Sequence, residues 1–348
     1  MPHLVAAPDK FRGTATASEV AAAAAAEARR AGWSCARVPL ADGGEGMLDA
    51  VGGERRVDVV TGPLGEPVHA EWRLLEVGSP PTTTAVVEMS RASGLLLAGG
   101  ASGNDPVAAT TRGTGELVRA ALRAGARRVV VGCGGSATTD GGDGAVAVLL
   151  HEPGLRDVEL LVATDVTTRF LDAARVFAPQ KGAGPDEVAL LTTRLERIAS
   201  RYASELGVDV TAVDGAGAAG GLAGGLAAVG GQIVSGFDLV ADMVGLDAEL
   251  ARADLVLTGE GCLDETSLAG KVVSGVVSRL AGRAPALVVA GTTRAVGAAE
   301  LAAATHVPVA RVEVVDLTGR YGSERALASP LALVAEVVRE VLRRSAGR

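Results

Sequence analysis

A chain of 348 residues with 48 % hydrophobic but only 2 % aromatic content and 47 glycines must pack its cores from Ala, Val and Leu, which favours layered helix-and-sheet architecture. Its length suits two domains of ordinary size. The formal net charge of −8 and the lack of a basic stripe interleaved with aromatics argue against a nucleic-acid partner, and no uninterrupted apolar segment reaches bilayer length.

In chain order, Leu4 to Ala7 reads as a short buried strand that ends in Pro8-Asp9-Lys10-Phe11-Arg12-Gly13-Thr14. An alanine-rich helix follows from Thr16 to Arg30, with Ser18 as its expected N-cap and Gly32 just past its end. A second strand, Cys35 to Leu40, stops at Ala41-Asp42-Gly43-Gly44-Glu45-Gly46, and Met47 to Val51 starts another helix. This β-α-β-α rhythm places ligand-type residues after each strand, where open parallel sheets bind ligands.

From Glu54 the texture changes. Val57 to Thr61 and Val68 to Leu75 alternate around Gly62-Pro63-Leu64-Gly65-Glu66-Pro67 and predict a hairpin. Ala85 to Met89 is a further strand and Thr114 to Gly125 a helix. Then comes the stretch around which the chain is organised: Val129-Val130-Val131, a loop from Gly132 to Gly144, and the apolar run Ala145 to Leu150. It reads as strand, ligand loop and helix start. Glycine amides and a helix N-terminus suit an anion, while Ser136, Thr138 and Thr139 add donors. Asp140 and Asp143 would repel that anion unless a metal or lysine stood between them, so the loop points either to a charged substrate with Mg²⁺ or to a plain helix start with capping aspartates.

Val158 to Ala163 is a strand ending at Thr164-Asp165, and Phe177 to Pro185 precedes a helix from Asp186 to about Glu205. Gly215-Ala216-Gly217-Ala218-Ala219-Gly220 fits the dinucleotide pattern G-x-G-x-x-G, with Asp238 further on; a close-packed helix is at least as good a reading. Leu255 to Leu257 is a strand leading into Thr258-Gly259-Glu260-Gly261-Cys262-Leu263-Asp264 and on to Gly270-Lys271. Ala286 to Ala290, ending at Gly291-Thr292-Thr293, and Val307 to Val314 complete the strands, and Pro330 to Arg344 is an amphipathic helix. The terminal portions thus share one βα rhythm, while residues from about 54 to 250 look like an inserted domain.

Three widely spaced cysteines, Cys35, Cys133 and Cys262, suggest neither a disulfide framework nor a zinc site, and the four histidines lie outside every glycine-rich loop. The N-terminus has no signal-peptide pattern, so a cytoplasmic location is expected. Lysine is more informative. Of 33 basic residues only Lys10, Lys181 and Lys271 are lysine, and a compact ammonium in a chain that otherwise uses arginine marks a place where a guanidinium fork does not serve.

With these segments in view the chain resembles the bacterial two-domain glycerate kinase family. The matching stretches are Ala7-Pro8-Asp9 with Phe11 and Gly13, Ala41 to Gly46, Gly62 to Gly65, Glu88-Met89 with Ala92 to Leu95, and Gly113 to Leu117. Further along they are Gly134 to Thr138 with Asp140 to Gly142, Pro179 to Ala183, Gly215 to Leu222, and Thr258 to Gly261 with Asp264, Gly270 and Lys271. They run in order over nearly the whole chain. Where the family usually has lysine this chain has Arg12, and where it often has arginine this chain has Cys262.

The resemblance implies an α/β fold, with a Rossmann-like parallel-sheet domain formed by both chain ends (1–53 and 251–348) and a second α/β domain inserted over 54–250. It also implies ATP-dependent phosphorylation of a small hydroxy acid, D-glycerate, at position 2, with ATP and Mg²⁺ required and a homodimer left open. No Walker A sequence occurs, so another glycine loop must cradle phosphate. Expected catalytic residues are Asp42, near the substrate hydroxyl, with Asp165, Lys181 and Lys271. Substrate contacts are expected from Asp9, Arg12, Glu45, Gly134, Gly135, Ser136 and Thr138, nucleotide contacts from Gly217, Gly220, Gly259 and Glu260, and metal ligation from Asp140 and Asp264. Two rivals are a nicotinamide-dependent dehydrogenase using Gly215 to Gly220 and a non-catalytic sugar-acid sensor.

Overall fold

The computed structural model describes residues 1–346. Among them eleven strands form two sheets: β1 His3–Ala6, β2 Ser34–Arg37, β3 Glu54–Thr61, β4 Pro67–Val77, β5 Thr82–Glu88, β6 Arg128–Gly132, β7 Glu159–Ala163, β8 Gln232–Val234, β9 Leu255–Leu263, β10 Ala286–Thr293 and β11 Val312–Asp316. The chain divides into two compact units. One comprises Met1–Asp42, Asp49–Val51 and the chain from Phe237 onward; the other comprises Gly43–Leu48 and Gly52–Gly236.

The first unit carries a five-stranded sheet in the order β11-β10-β9-β1-β2, every neighbour parallel. Parallel strands are covered on both faces and therefore read as apolar runs. Leu4, Val5 and Ala6 are fully buried, as are Val256, Val288 and Ala290. Numbered within the unit, the order is 2-1-3-4-5, the flavodoxin-like variant of the doubly wound sheet, whose direction of progression reverses between β1 and β9.

On one face the helices Ala17–Arg30 and Pro330–Ala346 share a core, with Ala21, Ala24 and Ala28 buried beside Val334, Val337 and Val338. Alanine lets the helix lie close, and the buried Glu27 carboxylate accepts from Arg339 at 2.9 and 3.2 Å to tie the two together. The first helix is capped by Thr16, not Ser18. Thr16 Oγ1 accepts from the Glu19 amide while Glu19 accepts from the Thr16 amide, and this reciprocal capping box outweighs an isolated serine. At the other boundary, residues 309–311 form a 3₁₀ turn, so β11 begins at Val312 and not near Val307.

The second unit carries a six-stranded mixed sheet in the order β3-β4-β5-β6-β7-β8. β3, β4 and β5 are antiparallel, which is the expected hairpin extended by one strand, and β5 to β8 are parallel. Leu117, Val118 and Ala121 of the helix Arg112–Arg123 pack with Val129 and Val131 of β6 and with Leu149 in one core. The loop beyond β6 therefore leaves a rigid, buried strand. β8 has only three residues, too few for an alternating pattern to be visible in the sequence.

Candidate active site

In the first unit a cleft of about 390 Å³ opens at the carboxyl ends of β1, β2, β9 and β10. Asp9, Lys10, Arg12, Asp42, Glu260 and Lys271 line it, together with Cys262, Asp264, Thr292 and Thr318. This is the switch point of the sheet, where loops leaving neighbouring strands diverge and leave a crevice.

Glycine makes the crevice possible. β9 continues to Leu263 beside β10, and a Cβ at Gly259 would lie 2.0 Å from the Val289 carbonyl oxygen. At Gly261 a Cβ would come within 3.0 Å of the Arg12 amide nitrogen, and at Gly291 within 2.6 Å of the Gly261 carbonyl oxygen. The segment after β1 thus lies directly across β9, held by the Asp9 amide donating to the Gly259 carbonyl at 2.8 Å. Gly259, expected as a nucleotide contact, is required by this close strand approach.

Two of the three lysines stand in the cleft. Lys10 Nζ is 3.4 Å from Asp9 Oδ1 and 3.7 Å from Asp42 Oδ1, so one ammonium sits between two carboxylates. Burial works against that ammonium, but Asp9 and Asp42 outweigh it and raise the Lys10 pKa. Burial pushes the Asp9 carboxyl up to about 6, with Lys10 opposing and Asp42 adding to the rise. Lys271 Nζ donates to Thr266 Oγ1 at 2.9 Å, and that hydroxyl donates to Asp264 Oδ1 at 2.7 Å. The hydrogen bonds from Thr266 hold Asp264 below its ordinary range. Lys10 was not among the expected site residues, although the scarcity of lysine was the signal that could have placed it there.

Glu260 is the exception to this pairing. Its Oε1 is buried without a hydrogen-bond partner, and burial pushes the carboxyl up to about 7. An orphaned carboxylate oxygen of this kind needs an explanation, such as an ion or ligand group that completes it. Among the described residues no three His, Cys, Asp or Glu side chains form a metal cage. That donor set fits Mg²⁺ nonetheless, because this ion commonly takes one or two carboxylates and draws its remaining ligands from water and substrate phosphates.

In the second unit the loop after β6 builds a different arrangement. Gly135 is exposed with φ +67°, and a Cβ there would lie 2.3 Å from Glu45 Oε1, so the 43–46 segment lies against it. That segment is anchored by Glu88, for which the sequence alone suggests no role; its Oε1 accepts from the amides of Gly46 and Leu48 at 2.8 and 3.1 Å. Lys181, only 3 % exposed, donates to Ser136 Oγ at 2.8 Å and to the Thr138 carbonyl at 2.6 Å. Burial pushes this lysine down to about 7, with Asp140 opposing.

Other expected site residues meet protein groups here. Asp140 was expected to ligate metal, but its carboxylate is buried and accepts from the Thr111 amide and hydroxyl and from the amides of Gly142 and Gly144. It organises the loop. Gly217 and Gly220 are packing glycines: a Cβ at Gly217 would lie 2.4 Å from the Arg169 carbonyl oxygen, and one at Gly220 2.0 Å from that of Thr138. Asp238 is paired with Arg279 at 2.7 Å. Asp165 accepts from the Gly236 amide at 2.8 Å and from Ser235, at the start of the helix Gly236–Met243.

Because Gly220 also has φ +70°, Gly220→Ala is expected to cost about 3 kcal/mol or more in denaturant unfolding. Wild-type stability in that variant would contradict the packing of Gly220 on Thr138.

Comparison with known proteins identifies the family. The glycerate kinase family model matches residues 4–152 and 149–345. The chain belongs to the glycerate kinase family. It is 39 % identical over 313 residues to the glycerate 2-kinase of Escherichia coli, covering 79 % of this chain and 81 % of that one. It is 38 % identical to a glycerate kinase of Bacillus subtilis, covering 78 % and 80 %. A Salmonella typhimurium crystal structure provisionally assigned as a glycerate kinase 2 superposes with a TM-score of 0.81 at 33 % identity, over 99 % of this chain and 98 % of that one. The α/β fold with parallel strands is that of this kinase family, and the chain is an enzyme of that family. Among the described residues no helix is long and apolar enough to cross a membrane.

Proposed function

We propose that this glycerate kinase family member transfers the γ-phosphoryl group of ATP to the 2-hydroxyl of D-glycerate. The observation that carries the reading is the convergence of Lys10, Lys271, Asp42 and the orphaned Glu260 at the switch point of a family-matched sheet. Phosphoryl transfer is mostly positioning and charge stabilisation, and these residues supply both.

Asp42 accepts the hydroxyl proton as the acceptor oxygen bonds to phosphorus and the bridging oxygen leaves with ADP. Lys10 holds Asp42 in place from 3.7 Å. Lys271 and Arg12 offer positive charge to the carboxylate of the acid or to phosphate. Glu260 and Asp264 would hold Mg²⁺, which when bound neutralises phosphate charge. Asp9 supports Lys10. The acidic excess of the cleft is tolerable beside a nucleotide only when cations intervene.

Incubation with D-glycerate, ATP and Mg²⁺ should release ADP, and EDTA should stop it. Thermal stabilisation by D-glycerate without ADP release would favour a non-catalytic binder instead. A difference spectrum on adding NADH would favour a nicotinamide enzyme.

A further inference from the structure

The ammonium of Lys181 is buried, and its hydrogen bonds say what it does. Both groups it meets, Ser136 Oγ and the Thr138 carbonyl, stand as acceptors. In its charged form the ammonium has three donors and no acceptor, so Ser136 Oγ then receives and turns its own proton elsewhere. Among the described residues no hydrogen bond shows Ser136 donating, although this residue is only 8 % exposed. The proton is unspent and lies next to the exposed backbone of Gly135.

We propose that Lys181 is a positioning residue that fixes the Ser136 hydroxyl as an obligate donor to an anionic group of a bound substrate, carboxylate or phosphate. The inference rests on the reading of residues 134–138 as a ligand loop. The surroundings are built to hold Lys181 still. Asn104 Nδ2 donates to the carbonyls of both Lys181 and Ala137, at 2.9 and 3.0 Å, and so ties the lysine turn to the loop. Asp140 attracts the ammonium without taking it, because its own oxygens are occupied by Thr111, Gly142 and Gly144. An anion at Ser136 adds negative charge nearby and favours the charged lysine, so binding and positioning reinforce each other.

A double-mutant cycle tests this, with KM measured for D-glycerate and for ATP separately in wild type, Ser136→Ala, Lys181→Met and the double variant. Loss of a hydrogen bond to a charged group weakens binding by roughly tenfold or more, so Ser136→Ala should raise one of the two KM values by about that factor. Lys181→Met should raise the same one, and the double variant should be no worse than Ser136→Ala within about twofold. Whether glycerate or ATP responds tells which anion the hydroxyl meets. Multiplying effects would overturn the proposal by showing that Lys181 acts on the ligand without Ser136. Unchanged KM values in Ser136→Ala would overturn the ligand-loop reading itself. If Lys181→Met does not fold, Lys181→Gln serves, since its amide can still donate to Ser136. It should keep KM within a few-fold of wild type, and a tenfold rise in that folded variant would contradict the donor role.

Discussion

Glu260→Gln is expected to stabilise the protein at pH 8 while removing at least about a hundredfold of turnover. Glu260 lies on β9 with a buried, unpartnered Oε1, and burial lifts its carboxyl from an ordinary value of 4.5 to about 7. In that window the folded chain holds a proton that the unfolded chain has released. Stability is therefore lost as pH rises from about 4.5, and the loss is complete above about 7. A neutral amide escapes this, for a gain on the order of 1–2 kcal/mol at pH 8 that shrinks to nothing near pH 4.5. The same substitution removes the carboxylate proposed to hold Mg²⁺. Melting curves at both pH values with steady-state turnover check it. Equal stability at pH 8 together with near-native turnover would remove Glu260 from the site.

Asp42→Asn separates chemistry from architecture in the opposite way. The Asp42 side chain is 25 % exposed, and when its charge is removed Lys10 keeps its nearer partner Asp9 at 3.4 Å, so the fold should lose little. Asparagine keeps the size and much of the hydrogen bonding but cannot take a proton. Turnover should fall by about a hundredfold or more, the usual scale for losing a general base, with little change in melting temperature. A variant that melts like wild type and turns over normally would exclude Asp42 as the base.

What the sequence discloses about this chain follows the physics of parallel sheets. Buried strands read as apolar runs, so β1, β6, β9 and β10 are visible, and within the first unit the residues at the carboxyl ends of β1, β2, β9 and β10 gather in space because those strands all point one way. That is why Asp9, Asp42, Glu260, Asp264 and Lys271 are legible as site candidates in the amino-acid sequence itself. Asp140 was legible as a carboxylate in a glycine loop, but nothing local shows that Thr111, 29 residues earlier, donates to it twice. Gly217 and Gly220 carry a similar ambiguity. A glycine that admits a neighbouring carbonyl looks the same in sequence as one that admits a phosphate. Ser136 could be picked out as a donor, but its partner Lys181 lies 45 residues on, and only the fold reveals which of the two accepts.

Phosphorus NMR of the reaction mixture reads out most directly the transfer of phosphoryl to one hydroxyl of one acid. With D-glycerate, ATP and Mg²⁺, the β and γ signals of ATP should give way to ADP and one new monoester. Its coupling to a single methine proton would place it on carbon 2. A monoester coupled to two methylene protons would move the acceptor to carbon 3. ATP left intact, or split to inorganic phosphate with no ester formed, would contradict the kinase reading.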